Sequence, residues 1–150
     1  MSDQKASKTT TKKIALILGA SSGFGAAAAR RLSKEGYHIF GVHLDRKATM
    51  PQVEKLMEDI RAHGVDATFY NINAADELKR KDVIADIRQA IPDDGIINVV
   101  LHSLAFGALK LFLSKDASKR LTPANMNMTM DVMAHSLVYW VQDLDDYDPL

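Results

Sequence analysis

Three glycines and two serines between residues 19 and 25 form the segment best suited to chemistry: Gly19-Ala20-Ser21-Ser22-Gly23-Phe24-Gly25. Glycine lets the backbone turn sharply and lets a ligand approach the main chain with no Cβ in the way. Gly19 suits a tight exit from a strand, Gly23 a close approach to linked phosphates, and Gly25 the packing of a helix against that strand. The alanine-rich run that follows, residues 26–29, favours a helix, whose first N–H groups lack intrahelical partners and carry partial positive charge. Such a start holds anions, and Ser21 and Ser22 add hydroxyl donors. The segment lacks the Lys-Ser/Thr pair of a nucleoside-triphosphate loop, which argues against an NTPase. A glycine-rich connector without a ligand is the plainer alternative.

The elements that must carry this segment alternate between short β-like runs and longer runs of helical period, the pattern of βαβ units around a parallel sheet. Residues 14–18, 37–44, 67–72 and 96–101 read as strands; 24–35, 51 to about 63, 76–90 and 123–144 read as helices. In the second helix Val53, Leu56, Met57 and Ile60 recur at helical spacing. Gly36 and Gly64 end the first two helices, and Pro92 to Gly95 form the turn out of the third. Thr122 and Pro123 open the long fourth helix, with Met126, Met130 and Met133 expected to pack on the sheet or on a partner subunit. Right-handed crossovers predict a Rossmann-type, doubly wound parallel sheet of order 3-2-1-4. The almost wholly apolar fourth strand would then form an unprotected edge, from which the fold is expected to be incomplete at its C-terminal side.

Residues 1–13 are polar and carry four lysines, which reads as a solvated tail ahead of a domain spanning 14–150. Lys12 and Lys13 before an apolar run mimic a secretory signal, but Ser21 and Ser22 interrupt it and a charged helix follows. With 19 basic and 19 acidic residues there is no electrostatic case for nucleic acid or an anionic membrane as partner. No run is long enough to span a bilayer, and the absence of cysteine excludes thiolate chemistry and fits a reducing cytoplasm.

The Gly-x3-Gly-x-Gly spacing resembles the cofactor loop of the short-chain dehydrogenase/reductase family, and the likeness runs from about residue 14 to 144. Leu18 departs from the family's usual threonine. The resemblance implies NADP(H) or NAD(H) as cofactor. At the end of the second strand, where an acid usually binds the adenosine ribose, stands His43, followed by Asp45 and Arg46. Asp45 could reach a ribose and Arg46 a 2′-phosphate; the missing acid leans the reading to NADP(H), with a merely solvated loop as the alternative. Asn71 matches the position that contacts adenine. His102-Ser103-Leu104-Ala105-Phe106-Gly107 looks like the His-Ser-Ile-Gly segment of enoyl-acyl-carrier-protein reductases, with Ala105 in place of glycine. His102, Ser103 and Leu104 are therefore expected beside the nicotinamide ribose, positioned and chemically silent. Met133 stands where typical members carry an active-site asparagine, which the enoyl-reductase-like branch also lacks; His135 and Ser136 are expected to face neighbouring elements.

The family's proton donor is a tyrosine followed closely by a lysine. Tyr37, Tyr70 and Tyr139 have no lysine four or seven positions on, and residues 143–150 read as a loop. No catalytic residue and no metal ligand is assigned. The resemblance implies the cofactor half of an oxidoreductase that reduces an enoyl or keto acyl-thioester-like small molecule, inactive alone, with helix 123–144 as a possible homo-oligomer contact by analogy. A noncatalytic nucleotide-binding or assembly module, or an inactive fragment, is the competing reading.

Overall fold

A computed structural model describes residues 12–92 and 95–147. Eleven of the thirteen tail residues, and Asp93 and Asp94 of the expected turn, lie outside them. Four parallel strands, β1 (Lys13–Leu18), β2 (Tyr37–His43), β3 (Ala67–Asn71) and β4 (Val99–His102), form one sheet in the order β3-β2-β1-β4. Ala15 lies between Ile39 and Val99, and Leu18 between Val42 and His102, so all the strands end together. The expected order is the observed one.

Five of the six β1 residues are buried, because helices cover both faces of that strand. On one face α1 (Gly23–Lys34) and α2 (Met50–Arg61) bring Ala26, Ala29, Leu56 and Ile60 against Ala15, Ile17 and Ile39. On the other, α3 (Glu77–Ala90) and α5 (Ser136–Tyr147) bring Val83, Ile84, Ile87, Trp140 and Leu144 against Ile14, Leu16 and Leu18. Trp140 is wholly buried, and its indole N–H donates to the Ala74 carbonyl at 2.9 Å, which ties α5 to the loop after β3. Arg80 of α3 adds a buried ion pair with Asp143.

Several boundaries differ from the sequence reading. β1 begins at Lys13, one residue inside the expected tail. β4 starts at Val99, not at residue 96, because the Asn98 side-chain oxygen accepts the Ile14 N–H at 2.8 Å, while the Asn98 N–H donates to the Ile14 carbonyl. A side chain thus closes the ladder and strand pairing begins one residue later. The long fourth helix is interrupted: α4 (Pro123–Met130) passes through a π-turn at Asp131–His135 before α5, which continues to Tyr147 where a loop was expected. Met126, Met130 and Met133 are 44–49% exposed, so they do not pack on the sheet. Among the described residues, no helix is long and apolar enough to cross a membrane.

Candidate functional site

The backbone that leaves β1 is fixed by contacts only glycine permits. Gly19 has a φ of +86°, and a Cβ there would overlap the Ser103 carbonyl oxygen. A Cβ on Gly25 would overlap the Gly19 carbonyl oxygen, so α1 starts directly on the turn out of β1. Gly19 and Ala20 both donate to the Val42 carbonyl, at 2.8 and 3.0 Å, and Ser103 donates to the Leu18 carbonyl at 2.7 Å. Three strand ends are thereby joined by backbone alone. Gly23, at φ +54°, has nothing within 4 Å of its absent Cβ.

Open space at Gly23 lies in front of the start of α1. Ser22 caps that helix in extended conformation without a side-chain cap bond, and the first turn holds no acidic residue. A helix start leaves its first N–H groups without intrahelical partners, so an acceptor from outside is electrostatically favoured here.

A cleft of about 290 Å³ opens at this point, over the carboxyl ends of the strands. Of the predicted residues it brings together Gly19, Ser21, Ser22, Gly23, Phe24, His43, Asp45, Ser103 and Leu104. Phe24 stands 89% exposed at the rim. Gly25, Arg46, Asn71 and His102 do not line it. Gly25 lies beneath the loop, and Arg46 is exposed beyond Asp45. Asn71 is occupied: its amide oxygen accepts the Asp45 N–H at 2.9 Å and its amide nitrogen donates to the Asp45 carbonyl at 3.0 Å. It therefore clamps the loop after β2 instead of presenting a free acceptor. Sequence reasoning missed Val42, Ile72, Asn73, Ala74 and Val132, which also line the cleft. Four of these are apolar and carry no chemical signal; the position of Asn73, two residues past β3, was the one available hint.

Asp45 is the charged side chain on the cleft wall. One carboxylate oxygen accepts from Thr49 at 2.8 Å, and the other lies 2.9 Å from Nδ1 of the buried His43. Burial pushes the Asp45 carboxyl up, but hydrogen bonds from Ser21, Thr49 and His43 outweigh it and hold it below the usual carboxylate range. Across the cleft, His102 meets the buried Ser136 hydroxyl at 2.9 Å. Burial pushes its imidazole down, partly offset by backbone acceptors.

Among the described residues, no tyrosine lines the cleft. Tyr70 donates to Asp86 at 2.5 Å, which together with burial pushes its phenol up; Tyr37 lies under Lys13 and Tyr139 beside Arg80. Among the described residues, no cluster of three or more His, Asp or Glu side chains could hold a metal ion.

Residues 19–147 match a family model described as enoyl-(acyl carrier protein) reductase. A 3-oxoacyl-[acyl-carrier-protein] reductase of Staphylococcus aureus is 32% identical over 91 residues, 61% of this chain and 35% of that protein. A 2,3-dihydro-2,3-dihydroxybenzoate dehydrogenase of Bacillus subtilis is 32% identical over 101 residues, 62% of this chain and 37% of that protein. Among solved structures, a Serratia marcescens short-chain dehydrogenase/reductase superposes with a TM-score of 0.72 at 17% identity, over 91% of this chain and 51% of that one. A Brucella melitensis 3-oxoacyl-[acyl-carrier protein] reductase in complex with NAD gives 0.71 at 20% identity, over 91% and 49%. The structural matches establish the fold; the chain spans little more than a third of these curated relatives and about half of these structures.

Proposed function

We infer the function from the premise that this chain belongs to the short-chain dehydrogenase/reductase family, in its enoyl-(acyl carrier protein) reductase branch. We propose that the cleft binds a nicotinamide dinucleotide. The observation that carries the reading is the open space at Gly23 beside a helix start whose N-cap Ser22 makes no side-chain cap bond, on a loop whose Gly19 and Gly25 tolerate no side chain. Linked phosphates would sit against the amides of Ser22 to Gly25, with the Ser21 and Ser22 hydroxyls as further donors. The adenosine ribose would lie beside Asp45 and the nicotinamide ribose beside Ser103 and Leu104.

Cofactor preference follows from the charges at the adenosine end. Asp45 lines the cleft as an anion held by three hydrogen bonds, and Arg46 does not line it. A carboxylate there accepts from ribose hydroxyls and repels a 2′-phosphate, so this geometry supports NAD(H) over the NADP(H) to which the sequence leans. A reduced nicotinamide held there would supply a hydride, and the residues of this chain would bind and orient it: the amides of the glycine loop at the phosphates, Asp45 at the adenosine end, and Ser103 and Leu104 at the nicotinamide end. The 3-oxoacyl-[acyl-carrier-protein] reductase relatives support a keto acyl thioester, and the description of the matching family model supports an enoyl one, as the substrate class.

A second reading, binding without turnover by this chain, is favoured by the tyrosines: Tyr37, Tyr70 and Tyr139 are all engaged away from the cleft. Both readings predict saturable NADH binding, tighter than NADPH, followed by fluorescence or calorimetry. They part on whether NADH is oxidised when an enoyl or keto acyl thioester is added. An affinity no better than that of Gly25→Ala for either cofactor would remove the dinucleotide reading.

A further inference from the structure

Behind the wall formed by Ser103 and Leu104 lies a buried polar contact that dinucleotide binding does not by itself explain. Ser136 is wholly buried and is the first residue of α5, immediately after the π-turn. A hydroxyl has one proton to donate. That of Ser136 points to the Val132 carbonyl, 2.7 Å away, so towards His102 Nε2, at 2.9 Å, the same oxygen serves as acceptor. The proton in that second bond then sits on Nε2 of the neutral ring, where Ser136 competes for it with the backbone carbonyls of His102 and Val132 that also accept from this imidazole.

The same oxygen therefore joins two structures that flank one end of the cleft. His102 ends β4, and the next residues, Ser103 to Phe106, line the cleft. Val132 lies within the π-turn and lines the cleft from the helix side. A π-turn holds one residue more than an α-turn, and its loss would rotate its residues by about a hundred degrees around the helix, as the 3.6-residue period requires. Val132 would leave the cleft wall. With the phosphate loop after β1 and Asp45 after β2, this β4 end is where the nicotinamide half of a dinucleotide would lie.

Resting on the dinucleotide reading, we propose that Ser136 is a positioning residue for the nicotinamide end: it fixes the His102 tautomer and pins the π-turn, and so sets the gap between Leu104 and Val132. The test uses the full chain and two readouts. In nitrogen-15 spectra of the imidazole rings at neutral pH, wild-type His102 shows its proton on Nε2, Ser136→Ala shows a mixture of tautomers, and Ser136→Thr, which keeps the hydroxyl and its bond to Val132, restores the wild-type pattern. In calorimetry, Ser136→Ala weakens NADH about five- to tenfold, the effect of losing about one hydrogen bond. ADP-ribose, which lacks the nicotinamide, stays within about twofold by the same arithmetic, and Ser136→Thr recovers NADH binding. Ser136→Cys, similar in volume and a weaker acceptor, provides the same comparison if the alanine variant does not fold.

An unchanged His102 tautomer in Ser136→Ala, or equal losses for NADH and ADP-ribose, would overturn the proposal. Wild-type protein that binds neither ligand would overturn the dinucleotide reading and this role with it. A tautomer change with NADH affinity intact would overturn this role alone.

Discussion

The two walls of the cleft are built by different means. On the β1–α1 side, positions are set by backbone against backbone: Gly19 against Ser103, Gly25 against Gly19, and two N–H groups on one Val42 carbonyl. On the β4–α5 side they are set by side chains, through His102, Ser136 and Trp140. Beyond that wall the chain exposes Leu109, Leu111, Phe112 and Leu113, with Leu109 fully exposed and Phe112 82% exposed. The first wall has the rigidity to hold a ligand's phosphates; the second keeps its shape only while a few buried contacts persist. Substitutions should therefore be absolute on one side and graded on the other.

The largest effect is expected where the weaker wall is anchored. Trp140→Ala removes a wholly buried side chain and leaves the Ala74 carbonyl unpaired, and should cost about 3–5 kcal/mol in urea unfolding. Gly25→Ala tests the other wall. Its Cβ meets the Gly19 carbonyl, so the loop must shift, and NADH affinity should fall about a hundredfold, a larger fraction than any single side-chain loss opposite. Survival of binding in Gly25→Ala would break the comparison.

Smaller effects sharpen it. Asp45→Asn should narrow the preference for NADH over NADPH by about tenfold, the scale of one charge near a phosphate. Because the Asp45 carboxyl is held low in the fold, its stabilising contribution is present above the ordinary carboxylate range and lost as pH falls through the lowered value. The stability gap between wild type and Asp45→Asn should thus persist from about pH 7 to 5 and close below about pH 4. His102 follows the same sign at higher pH: its imidazole is held low, so its contribution is present above about pH 6.5 and lost as pH falls through the lowered value. Wild type should lose melting temperature between about pH 7 and 5 more steeply than His102→Gln. The smallest effect belongs to Phe112→Ser, which touches neither wall and should change unfolding free energy by less than about 0.5 kcal/mol.

Sheet order and the glycine turn between β1 and α1 were legible because their signals are local. Apolar runs such as 14–18 mark strands buried on both faces, and the glycines of residues 19–25 mark turns that no other residue fits. What was not legible depends on contacts distant in sequence. Asn98 shortens β4 by bonding to Ile14, 84 positions away. Asn71 looks like a free acceptor until Asp45 is placed against it, and Asp45 looks like a loop residue until Ser21, Thr49 and His43 converge on it. The π-turn has no compositional mark, since residues 131–135 carry no glycine or proline. The methionines at 126, 130 and 133 have helical spacing, yet spacing alone does not say which face meets the sheet.

The amides of the glycine loop report most directly on the central claim. Titrating nitrogen-15-labelled protein with NADH, the account predicts the largest amide shifts at Ser22, Gly23, Phe24 and Gly25, smaller ones at Asp45 and Leu104, and none at His38 or Arg61 at the opposite ends of the strands. Saturable shifts confined to His38, Arg61 and their neighbours, or no shift at residues 22–25, would contradict it.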